Sequence, residues 1–318
     1  MAPTEEMTME STPKLIGRTA VAFAMLTVLT AFSACEDTAA PGADARTPPP
    51  PDGGLVDRDA EIALDAPDAA AFDDGATGPV AQVVVRTNTD PFPHADGYAG
   101  QTSRDAYQGI RSFELLRGID DPDPLVLFDH GDDPVEAGYN DGDDTLVGMV
   151  RLHGLRAGHY TMARSVVTHS RYRVDAVMHA GGYVLPGEFD NVQVLSDGTR
   201  IDGVIRPESW FRYVFRTGGM DFPLEGLGAP LPTEPTTTGG FSLSIEDGVA
   251  AYYYPVDITL VATATEDLVI VLEVNMFEAF RWEDQDLPGY TAGVFDSSPT
   301  ASEPVRRFGA NSLRVHVE

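Results

Sequence analysis

The chain of 318 residues contains one cysteine, Cys35, and one lysine, Lys14. A lone cysteine has no partner in the chain, so no internal disulfide staples the fold. Lysine is almost absent, and arginine carries nearly all the positive charge. Basic residues number 21 against 50 acidic ones, a formal net charge of −29. Such a surface repels phosphate backbones and excludes nucleic acid as a partner. Tryptophan occurs only twice, at Trp210 and Trp282. Long hydrophobic runs are missing too. The longest apolar stretch, residues 19–34, falls short of the roughly 20 residues a membrane-spanning helix needs. The chain has no G-x-S-x-G, no phosphate-binding loop and no dinucleotide fingerprint, which favours a non-enzymatic reading.

Lys14 and Arg18 precede that apolar stretch, and the small residues Ser33 and Ala34 end it. These are the parts of a secretory signal. Glu5, Glu6 and Glu10 are unusual in such a segment, and a start at Met7 or Met9 instead of Met1 restores a net positive leader. Phe32-Ser33-Ala34-Cys35 resembles the lipobox of bacterial lipoprotein precursors, a family that prefers Leu where Phe32 stands. The resemblance implies a signal peptide over residues 1–34 and a lipidated Cys35 as the mature N-terminus. The membrane is then a partner through the acyl chains, and about two chains give stable anchoring. Glu36, not Asp, follows Cys35. In lipoproteins of two-membrane bacteria this leans towards the outer membrane or cell surface over the inner membrane.

Residues 35–78 read as a tether. Between 36 and 78 stand eleven acids against Arg46 and Arg58, with Phe72 the only aromatic. Low hydrophobicity and charge of one sign predict disorder, stiffened at Pro48–Pro51.

The body, residues 79–318, is patterned for an all-β fold. Residues 80–87, 110–117, 145–152, 160–167 and 210–216 alternate as half-buried strands. In the last, Phe211, Tyr213 and Phe215 share one face, while Arg212 and Arg216 share the other with Trp210. Residues 268–277 are apolar on both faces, as in a central strand. Residues 311–317 end the chain as a strand with Leu313, Val315 and Val317 inward. Asp247-Gly248 and Asp197-Gly198 carry the hairpin signal. An antiparallel β-sandwich is expected; one large sandwich and two associated ones, divided near residues 225–240, fit equally. "LHGLRAGHYT" (152–161) resembles an edge found in prealbumin-like and immunoglobulin-like bacterial surface modules, in which the Gly turns the chain and the Tyr opens the next strand.

Three sets of residues are candidates for chemistry. His153, His159, His169 and His179 crowd one region. If 160–168 and 172–179 form a hairpin, His169 lies at its turn, and His159 and His179 meet at the open end as ligands for Zn or Cu. Asp141, Asp143 and Asp144 head an acid-rich loop series that offers oxygens to Ca, though the EF-hand pattern fails in every register. Trp210, Trp282 and Tyr252–Tyr254 are candidate stacking surfaces for sugars. The favoured function is therefore an envelope lipoprotein whose body binds or organises a protein or glycan partner. The rivals are a metal-binding protein and a carbohydrate-binding module or glycan hydrolase.

Overall fold

The computed structural model describes residues 78–229, 241–261, 263–298 and 303–318. Cys35, the leader and the tether lie outside them, as does most of the 225–240 segment. Every regular element among the described residues is a strand. In chain order they begin with β1 (Val80–Asn88), β2 (Ala99–Gln101), β3 (Arg104–Leu116), β4 (Leu125–Asp129), β5 (Val135–Gly138) and β6 (Asp144–Arg151). Next come β7 (Gly158–Ala180), β8 (Tyr183–Val194), β9 (Thr199–Ile201), β10 (Val204–Arg206), β11 (Trp210–Thr217) and β12 (Met220–Leu227). The last are β13 (Ser242–Glu246), β14 (Val249–Leu260), β15 (Leu268–Asn275), β16 (Phe280–Trp282), β17 (Asp296–Ser297), β18 (Val305–Arg307) and β19 (Ser312–Val317).

Two sheets make the main sandwich. The smaller runs β19-β15-β1-β6, and β15 is interior to it, as its two apolar faces require. β1 and β15 run parallel; the other pairs in this sheet are antiparallel. Its inward residues, Val83, Val85, Ile270, Leu272 and Leu313 among them, pack on Ile110, Phe113, Tyr160, Ala163 and Val167 of the larger sheet. Val317, expected inward, is 41% exposed at the strand end. The larger sheet has ten strands around the path β12-β11-β8-β7-β14-β13, with β3 also on β7. Strands on both sides of residues 225–240 thus belong to one sheet.

The spine of that sheet is β7, with 23 residues. The expected hairpin turn at His169 does not form. "THSRYRV" has no Gly, Pro, Asn or Asp to reverse the chain, and its alternation runs straight through. One edge of β7 pairs with β3. The other pairs first with β14 up to Val167 and then with β8 from His169. Leu195 and Ser196 close the gap between those partners. Both backbone N–H groups donate to the Thr168 carbonyl, at 2.8 and 3.1 Å. The Ser196 hydroxyl donates to the Val167 carbonyl and accepts from the Ala250 N–H at 2.9 Å.

Asp247-Gly248 forms the expected hairpin between β13 and β14, both residues at positive φ. Asp197-Gly198 does not. β8 has no ladder with β9, because Leu195 and Ser196 are tied to β7. The hairpin is instead β9–β10 around Asp202-Gly203, with φ of 49° and 78°. Tyr160 opens β7, fully buried, and its hydroxyl donates to the Arg156 carbonyl at 2.7 Å. That bond holds the loop before the strand against the core.

Candidate functional site

The C-terminal half of β7, with β8, β11 and β12, forms a sheet with two unlike faces. On one face Arg171, Arg173 and Arg216 converge on Asp190, at 3.4, 3.8 and 2.9 Å, and Glu188 and Asp221 extend the network. Period-two alternation then sends the intervening residues to the other face. These are Tyr172 and Val174, Phe189 and Asn191, Phe211, Tyr213 and Phe215, and Phe222 and Leu224. Opposite them stand Phe280 on β16, Phe295 and Ser297 beside and on β17, and Phe308.

Between these walls is a cavity of about 250 Å³. Nine aromatic rings line it, and none of its lining residues is charged. The rings hold one another. Phe211 and Tyr213 stack at 4.5 Å, and Phe189 meets Phe215 at 5.0 Å. Phe280 contacts Phe295 edge-on at 5.1 Å, and Tyr172 lies between Phe280 and Phe308. Phe211 lies over its cross-strand partner Gly226, whose missing Cβ makes the space: a Cβ there would be 2.9 Å from the ring. Burial pushes the Tyr213 hydroxyl up to about 12 and raises that of Tyr172 further. Both are neutral phenols at physiological pH. The arrangement can surround an apolar body with rings and present a few uncharged polar groups to it.

No protein-family model, curated protein or solved structure matches the chain.

The structure separates the histidines. Because β7 is continuous, His159 and His179 stand near opposite ends of it, separated by about 65 Å of strand at roughly 3.3 Å per residue. His159 is exposed beside Asp257 at 3.6 Å and Thr259 at 3.3 Å. His169 is buried between Glu136 and the Thr168 hydroxyl, each at 3.0 Å. The hydrogen bond from His169 holds the Glu136 carboxyl below the usual carboxylate range, against the opposing effect of burial. His179 bonds buried Asp296 at 2.6 Å and stacks on Tyr290. Each is thus paired within the protein. Among the described residues no three His, Cys, Asp or Glu side chains gather to hold a metal ion.

The acidic loop is likewise occupied. Asp141 accepts from the Thr89 N–H at 3.1 Å. Asp143 accepts from the Asn140 backbone and side-chain amides, both at 2.8 Å. Asp144 pairs with Arg86 at 3.2 Å. Neither tryptophan is open to solvent. Trp210, 4% exposed, packs on Val192, Val194 and Ile201 under the Arg206 guanidinium. Trp282, 1% exposed, braces Phe280 and Phe295 behind the cavity wall. The residues that form the cavity had one sequence signal, the shared face of Phe211, Tyr213 and Phe215. Its opposing wall lies far away in the chain.

Proposed function

We propose that the protein is a membrane-tethered envelope lipoprotein whose β body holds a small, uncharged, largely apolar ligand in the aromatic cleft. The observation that carries this reading is an uncharged cavity with nine rings in a chain of net charge −29. The lipobox-like residues before Cys35 support the tether, and an acidic spacer sets the body away from the bilayer. Burying about 200 Å² of apolar ligand surface contributes about 5 kcal/mol, against which stands the entropy cost of association.

Nile red, a neutral dye that brightens in apolar surroundings, tests it. The protein is expected to bind the dye with a blue-shifted emission. Leu224→Trp fills the cleft from the edge strand and is expected to weaken binding at least tenfold. Leu227→Trp, on the same strand but 68% exposed and outside the lining, leaves it unchanged. Equal binding by the two variants would contradict the reading.

A further inference from the structure

One polar row crosses the aromatic face. Asn191 on β8 is in register with Tyr172 on β7 and with Tyr213 on β11. All three line the cavity. Asn191 is 7% exposed, and what it exposes lies in the cavity, where its side chain has no hydrogen bond to a described residue. Buried amides are ordinarily paired, because they leave water with two donors and an acceptor to satisfy. Neighbouring Gln193, 1% exposed, does have an interaction within the protein. Asn191 thus keeps its amide available to the cavity it lines. The two flanking phenols are neutral, as burial requires, and can donate.

We infer that the cleft selects a neutral, ring-bearing ligand with one hydroxyl or amide group, which Asn191 receives between Tyr172 and Tyr213. This rests on the apolar-ligand reading above and specifies the ligand's chemistry. The rings take the apolar body by offset stacking. The Asn191 amide both donates to and accepts from the polar group. A carboxylate is refused, because it would shed its water in a cavity whose lining holds no cation.

Three naphthalene probes separate these elements: 2-naphthol, 2-methylnaphthalene and 2-naphthoate, each titrated by its own fluorescence against the full chain. The wild type is expected to bind 2-naphthol about tenfold more tightly than 2-methylnaphthalene, with 2-naphthoate at least tenfold weaker than 2-naphthol. Asn191→Leu should bring the first two within twofold by weakening 2-naphthol, and should melt no lower than the wild type, since an unpaired amide gives way to an apolar group of similar size. Tyr213→Phe, which keeps the ring, should lower 2-naphthol affinity about threefold and leave 2-methylnaphthalene unchanged; it carries the test if Asn191→Leu fails to fold. An undiminished preference for 2-naphthol in the folded variants overturns the role of Asn191 and leaves the apolar cleft standing. Absence of binding by both neutral probes, or binding that Leu224→Trp does not weaken, overturns the cleft itself.

Discussion

Arg281→Met is expected to destabilise the fold by about 3 kcal/mol, because it leaves the largely buried Asp96 carboxylate with only the Tyr98 N–H and the distant Arg307 as partners. Arg281 is 4% exposed on β16. Its guanidinium donates to Asp96 and to the Tyr98 carbonyl, both at 2.6 Å, and reaches Glu278 at 3.4 Å. Gly100 makes the approach possible, since a Cβ there would lie 2.5 Å from the guanidinium. Burial disfavours the Asp96 anion. Hydrogen bonds from Arg281 and the Tyr98 N–H outweigh it and hold the carboxyl below its ordinary value of 3.8. A depressed folded value means that the pairing stabilises fully above that ordinary value and fades as pH falls through the folded one. Denaturant melts should therefore show the full deficit of Arg281→Met at pH 7 and a shrinking one below about pH 4. Adding Asp96→Asn should recover more than half of the loss at pH 7, since the stranded charge is gone. A loss under about 1 kcal/mol would mean that the pair is solvated and contributes as a surface bridge does. The effect reaches the cleft, because β16 carries Phe280 and Trp282 on the face opposite Arg281.

Cys35→Ser is expected to move nearly all of the protein from the membrane fraction to the soluble one. A single acyl chain gives only marginal, reversible membrane binding, about 10⁴ M⁻¹, and two give stable anchoring. The charge of the chain adds no compensating attraction, since a net −29 is repelled by anionic headgroups. The variant should also lack the added mass of the acyl chains, because position 35 then carries no thiol to accept them. Fractionation with intact-mass measurement reads both effects. An unchanged membrane fraction in the variant would rule out the lipid anchor.

The sandwich was legible because strand alternation is local: Phe113 and Leu115, between Ser112 and Glu114, declare their face within a few residues. What stayed hidden depended on partners far away in the chain. "THSRYRV" carries no Gly, Pro, Asn or Asp, but its run of polar side chains reads as a break between two strands. Arg171 and Arg173 are strand residues because Asp190 and Glu188 on β8 pair with them, and nothing near position 170 announces those partners. The histidine hypothesis failed with that turn, since a continuous β7 carries His159 and His179 apart. Asp197-Gly198 and Asp202-Gly203 are equal as turn signals; the link of Ser196 to Val167 decides between them. The cleft was half legible. Phe211, Tyr213 and Phe215 share one face by local alternation, but Phe280, Phe295 and Phe308 come to face them only once β16, β17 and β18 are folded against β7 and β8. The scarce tryptophans drew attention by their size, yet both serve packing, as large rings in sheet cores usually do.

The central claim is that the aromatic cleft is a ligand site, and a crystal structure with 2-naphthol bound tests it most directly. The account predicts the naphthalene ring between Phe211 and Tyr213 on one side and Phe280 and Phe308 on the other, with its hydroxyl within hydrogen-bond distance of the Asn191 amide. A cleft closed by its own side chains, with the probe absent from it or bound elsewhere, would contradict the account.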